Sequence, residues 1–132
     1  MDRLFLDANV LFSAAYRADT GLLELWKLKN VCLCSSHYAL AEARTNLAEA
    51  VQVQRLDRLS MVLELFDAAL QELPSEILLP EKDVPILLAA IEARATHLVT
   101  GDIRHFGTYF GKKICGIRIV LPGDYLRHAG RG

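Results

Sequence analysis

Two carboxylates in this chain each follow a short apolar run. Asp7 comes directly after Leu4-Phe5-Leu6 in LFLDANVLF, and Gly101-Asp102 follows Leu98-Val99-Thr100 in HLVTGD. Short apolar runs of this kind read as buried strands. In an open parallel α/β sheet, ligands bind outside the carboxyl ends of the strands. With both strands parallel, the two loops deliver Asp7 and Asp102 to one edge of the sheet. Two further acids can join them. Glu42 lies six residues past Ser36, nearly two turns into a helix, beside Ala39-Leu40-Ala41 and Ala43, a small apolar setting for a charge. Asp83 stands at the start of the helix that leads into the Leu98 run, and such a helix start faces the same cleft.

Four converging carboxylates need a countercharge. Two unit charges about 4.5 Å apart repel by about 4 kcal/mol at an effective dielectric near 20. The cluster stays ionised only around a cation; otherwise some members hold protons. All-oxygen ligands suit Mg²⁺ or Mn²⁺. One or two such ions can activate a water and stabilise the leaving oxygen in phosphodiester cleavage. Asn9 and Thr100 stand where their side chains can hold the acids by hydrogen bonds. Each acid taken singly has a plainer use. Asp7 and Asp83 suit helix N-caps, Asp102 suits a turn after Gly101, and Glu42 suits a solvated helix position. Those uses leave unexplained why two acids end two apolar strands while two more sit at matching helix positions.

The elements that must position these residues follow from periodicity. Short apolar runs alternate with longer helical patterns, the signature of an α/β fold with a mainly parallel sheet. A short helix is expected from about Asn9 to Tyr16. Asp19 or Thr20 caps the stretch that carries Leu22, Leu23, Leu25, Trp26 and Leu28, and Val31 to Cys34 reads as a second strand. Ser35-Ser36 caps a helix to about Leu47. From Val51 to Leu73 the apolar positions 56, 59, 63, 66, 70 and 73 predict one long amphipathic helix closed by Pro74. Ile77 to Leu79 reads as a short strand. Asp83 precedes a helix with Pro85 in its first turn, running to about Ala95. A late strand, Ile117 to Leu121, stops at Pro122-Gly123. With no linker or repeat, the expectation is one domain over residues 1–132, poorly ordered only near 128–132.

Composition narrows the function classes. The 132 residues are 52% apolar and 23% charged, a globular balance that excludes a disordered chain. Fifteen Lys and Arg against sixteen Asp and Glu leave a net charge of −1, which excludes a basic nucleic-acid coat. Any nucleic-acid contact must be local. No apolar run reaches the ~18–20 residues of a membrane span, and MDRLFLD has no signal-peptide core, so a soluble cytoplasmic protein is expected. Cys32 and Cys34 share a strand face and Cys115 is the odd third; with no further Cys or His at ligand spacing, the pair reads as small buried hydrophobes. Neither Gly-x-Gly-x-x-Gly nor a Walker Gly-Lys-Ser is present, and no Gly-x-Ser-x-Gly elbow supports a serine hydrolase. Asp7-Ala8-Asn9 lacks the second Asp of a haloacid-dehalogenase phosphotransferase. Pro122-Gly123 stands where a receiver domain would need a Lys.

The ordered motifs resemble the PIN-domain family of metal-dependent ribonucleases. The resemblance runs through LFLDANVLFSA, SSHYALAEARTNL, DVPILLAAIEARATHLVTGDIRHF and GIRIVLPGDYL, and covers residues 3 to about 126. It implies a three-layer α/β/α sandwich around a mainly parallel sheet of four to five strands. It also implies an acidic site of Asp7, Glu42, Asp83 and Asp102, a Mg²⁺ or Mn²⁺ requirement, cleavage of RNA and often a homodimer. Small stand-alone members are commonly toxins of VapBC-type pairs, silenced by a partner antitoxin. Many members carry a further acid three or four residues past the Asp102 position, where this chain has Arg104-His105-Phe106. The departure implies one firmly held ion, a second arriving with substrate. Arg104, His105, Lys112 and Lys113 are candidates to hold RNA phosphates at the rim of the pocket. Arg44 points elsewhere on its helix. Phe106, Tyr109 and Phe110 suit either base stacking or core packing. The competing reading is a catalytically silent PIN-fold interaction module using the apolar stripe from Val51 to Leu73. The presence of all four acids favours the enzyme.

Overall fold

Leu4, Phe5 and Leu6 follow one another along the first strand, and all three are fully buried. Successive strand residues point to opposite faces, so both faces of this sheet are covered, as parallel sheets require. The computed structural model describes residues 1–68 and 71–129. In chain order its elements are β1 (Asp2–Leu6), α1 (Ala8–Tyr16), a 3-10 segment (Gly21–Lys27), β2 (Val31–Ser36), α2 (His37–Asn46), α3 (Ala50–Ser60) and β3 (Glu64–Phe66). A 3-10 turn (Glu81–Asp83) then leads into α4 (Val84–Glu92), β4 (His97–Val99), α5 (Ile103–Phe106), β5 (Lys113–Ile114), β6 (Ile117–Val120) and α6 (Pro122–Ala129).

The sheet runs β3-β2-β1-β4-β6-β5. Every pairing is parallel except that of the two-residue β5 with β6. From β1 the chain builds outward through β2 and β3, then crosses back to lay β4 on the other side of β1. The direction of winding therefore reverses between β1 and β4, and a crevice opens there at the carboxyl ends. The α/β expectation holds, with six strands where four to five were expected. The extra ones are β3 and β5, each too short to announce itself by periodicity.

Two expected elements are corrected. The long helix over Val51 to Leu73 ends at Ser60, and Glu64–Phe66 instead pairs in parallel with Cys34–Ser36 at the edge of the sheet. Leu56 is buried in α3, whereas Leu63 and Phe66 pack on the core from the strand side. Positions 56 to 66 thus mix two geometries under one apparent helical spacing. Leu70 lies outside the described residues, as do residues 130–132 of the expected frayed end. Ile77 to Leu79 forms no strand, since its backbone has no strand partner; the Ile77 N–H closes a turn onto the Pro74 carbonyl, and the Leu78 N–H donates to the Tyr109 hydroxyl.

The helix before β4 stops earlier than Ala95. The N–H groups of Arg94 and Ala95 turn back to the carbonyls of Ile91 and Ala90, a Schellman closure with Arg94 at φ 54°. A side chain in that left-handed conformation is strained, and the Arg94 side chain is exposed. Arg94→Gly is therefore expected to raise stability by about 0.5–1 kcal/mol, read as a higher urea midpoint with an unchanged slope.

Candidate active site

Asp7 ends β1 and caps α1, and its two oxygens divide the work. Oδ1 accepts from the Ala8 N–H at 2.6 Å, while Oδ2 accepts from the Thr100 hydroxyl at 2.8 Å and the Asn9 amide at 3.2 Å. The N-cap and the site acid are thus one residue. The Thr100 hydroxyl is fully used: it donates to Asp7 and accepts from Asn9 Nδ2 at 3.2 Å and from the Asp102 N–H at 3.1 Å. Asn9 Oδ1 accepts from the Gly101 N–H at 2.8 Å. The loops after β1 and β4 are stitched together by these side chains, the two expected to hold the acids.

Asp102 repeats the division. Its Oδ1 caps α5 by accepting from the His105 N–H at 3.3 Å, and its Oδ2 lies 2.7 Å from His105 Nδ1. Asp83 differs from both. It is only 5% exposed, makes no capping bond to α4, and its Oδ2 lies 2.6 Å from His105 Nδ1 without hydrogen-bond geometry. Glu42 is half-buried on α2, whose inner face is built from the buried Ala39 and Ala43. Ser36 caps that helix through the Ala39 N–H at 3.0 Å and so fixes where Glu42 falls. All four acids line one cavity of about 400 Å³, together with Asn9, Phe12, Asn46 and Lys82.

The charges in this cavity are not balanced. Burial pushes Asp7 up to about 6; the bonds from Thr100 and Ala8 oppose that rise, and repulsion from Asp83 and Glu42 adds to it. Burial also raises Asp83, against the pull of His105 and Lys82 and with the push of Asp102 and Glu42. Tyr38, whose hydroxyl donates to the Lys82 carbonyl at 3.2 Å, is raised by burial and then by Glu42, Asp83 and Asp7. Among the described residues no Lys or Arg makes an ion pair with any of the four acids. Carboxylates drawn up in pKa beside a buried oxygen without a hydrogen-bond partner fit a divalent cation, and oxygen donors suit Mg²⁺ or Mn²⁺.

The remaining candidates are spread more widely. Arg104 is exposed and lines a neighbouring groove with Ile77, Pro80 and Thr108, not the acidic cavity. His105, expected at the rim, sits with Nδ1 between Asp83 and Asp102. Lys112 and Lys113 are exposed at the outermost strand and do not line the cavity. Arg44 turns away to pair with Asp57. Phe106 is fully buried, and Tyr109 and Phe110 pack on the core. Sequence reasoning passed over Lys82, Tyr38 and Asn46; only Asn46 had a local signal, one helical turn past Glu42. Cys32 and Cys34 do meet a third polar group, Glu64 of β3. Arg3 already occupies that cluster, with Nη2 2.9 Å from Glu64 and Nη1 3.5 Å from Cys32 Sγ. Burial pushes the Cys34 thiol up to about 12, so the thiol keeps its proton here.

A family model described as PIN domain matches residues 3–104, the span that holds all four acids. Among solved structures the chain is similar to VapBC2 from Rickettsia felis bound to a DNA fragment from their promoter. The match has 23% identity and a TM-score of 0.67, and covers 89% of this chain and 96% of that one. At that identity the likeness is one of fold. No curated protein matches the chain.

The raised Asp7 has a signed consequence for stability without metal. Its ordinary value is 3.8 and its folded value about 6, so the folded state holds a proton there that the unfolded chain has lost. This contribution is complete below the ordinary value and disappears as pH rises through the folded one. In chelator, the stability of wild type relative to Asp7→Asn is expected to be about 2 kcal/mol better at about pH 4.5 than at about pH 7.5, measured by urea unfolding.

Proposed function

The chain belongs to the PIN-domain family, and on that premise we propose that it is a Mg²⁺- or Mn²⁺-dependent endoribonuclease, the toxin of a VapBC-like toxin–antitoxin pair. The observation that carries this reading is the set of four acids lining one cavity where the sheet reverses its winding. Asp7, Asp102, Asp83 and Glu42 would hold the ion. When bound, such an ion lowers the pKa of a coordinated water and neutralises charge on a phosphodiester oxygen.

The protein's own groups do the rest. Thr100 and Asn9 keep the Asp7 carboxylate aimed at the cavity. Glu42, half-exposed and free of ion pairs among the described residues, is the acid best placed to accept a proton from the attacking water. Lys82 on the cavity wall, and exposed Arg104 in the neighbouring groove, would supply positive charge for RNA phosphates. His105, Lys112 and Lys113 are lesser candidates for that contact. With a net charge of −1 the chain binds RNA weakly and locally.

The VapBC2 structure supports a partner, since that similar fold is described as a VapBC assembly. An antitoxin and a homodimer therefore belong to the proposal, with one domain over residues 1–132. No helix among the described residues is long and apolar enough to cross a membrane; a cytoplasmic setting is part of the proposal.

The test is cleavage of a structured RNA mixture in Mg²⁺, in Mn²⁺ and in chelator. Asp7→Asn and Asp102→Asn are each expected to lower cleavage by about 100-fold or more, equivalent to about 3 kcal/mol, with unchanged circular dichroism. Cleavage that ignores metal and both substitutions, together with no Mn²⁺ uptake in calorimetry, would replace the nuclease with a partner-binding module.

A further inference from the structure

We propose that His105 ligates the same cation through Nδ1, making the centre a mixed nitrogen–oxygen site that selects Mn²⁺ over Mg²⁺. This rests on the metal-dependent reading above and adds a ligand to it.

The argument begins with an unsatisfied cluster. His105 Nδ1 lies 2.6 Å from Asp83 Oδ2 and 2.7 Å from Asp102 Oδ2. One ring nitrogen has a single in-plane valence, an N–H or a lone pair, so it cannot align with two carboxylate oxygens at once. Neither Asp83 Oδ2 nor His105 Nδ1 has a hydrogen-bond partner, and both atoms are buried. The Asp83 side chain is 7% exposed and directs that free oxygen at the ring nitrogen. Leaving such groups unpaired costs roughly 1–3 kcal/mol each, more for a charged one. A cation among the three atoms would satisfy all of them at once.

The backbone holds this arrangement. Asp102 caps the turn that carries His105 three residues on, so the two side chains meet on one side of that turn, and Asp83 meets them from the start of α4. The three donor atoms lie within 4.8 Å of one another. Imidazole is a poor match for Mg²⁺, which favours oxygen donors and keeps its waters. It is a better match for transition ions, and Mn²⁺ is one of those that carboxylates also suit.

The full chain titrated with MnCl₂ and with MgCl₂, followed by electron spin-echo spectroscopy of the Mn²⁺-loaded protein, tests this without measuring cleavage. Wild type is expected to show ¹⁴N coupling from a directly bound imidazole. In His105→Gln that coupling disappears and Mn²⁺ affinity falls about tenfold or more, with Mg²⁺ affinity changed less. His105→Asp restores an oxygen ligand, so it binds both ions with no ¹⁴N signal, and it serves as the folded comparison should the Gln variant not fold. Mn²⁺ bound to wild type without ¹⁴N coupling overturns the ligation by His105 and leaves the nuclease reading standing. No Mn²⁺ uptake by wild type overturns both.

Discussion

The hydroxyl of Thr100 is the joint on which the acidic edge depends. It touches Asp7 at the end of β1, Asn9 in the first turn of α1 and the backbone of Asp102 beyond β4. Without it, the one side-chain bond left between the two loops would be that from the Gly101 N–H to Asn9 Oδ1. A hydrogen bond to a charged group is worth about 1.5–3 kcal/mol, the same order as the cost of burying that group. In Asp7 burial outweighs those bonds, and its pKa stays raised to about 6. The fold holds this carboxylate in place without neutralising it.

That tension explains how the scaffold and the cavity share atoms. A carboxylate has two oxygens, and at both strand ends one starts a helix while the other faces inward. Asp83 commits neither oxygen to a cap, because the 3-10 turn before α4 satisfies the helix start differently, with the Val84 N–H on the Glu81 carbonyl. The acid least needed by the scaffold is therefore the one with an open oxygen. Helix starts, strand ends and a reversal in winding bring negative charge to one place, while the whole chain stays close to neutral.

Much of this could be read before any coordinates, and the reasons are local. An apolar triplet followed by an acid marks a strand end, and Ser36 marks the turn from which Glu42 is counted. The capping use and the cavity use of Asp7 and Asp102 stood as alternatives in the sequence; two oxygens per side chain make them compatible. What was illegible depends on distant partners. Leu63 and Phe66 fit helical spacing as well as they fit an edge strand, and only the pairing of Glu64–Phe66 with Cys34–Ser36 decides between them. His105 is ordinary in sequence, since nothing nearby announces that Asp83 will arrive beside it. Lys82 joins the cavity for the same reason.

The shared use of Asp7 has an evolutionary consequence. Replacing one oxygen of a capping carboxylate by an amide nitrogen leaves the other to receive the Ala8 N–H, so α1 keeps its start while the cavity loses a charge. A single base change in the Asp codon can accomplish it. Lineages with this architecture can therefore abandon chemistry and keep a sound scaffold, open to recruitment for other duties. Folding is a weak selective guard over these acids, and only the work they perform can preserve them.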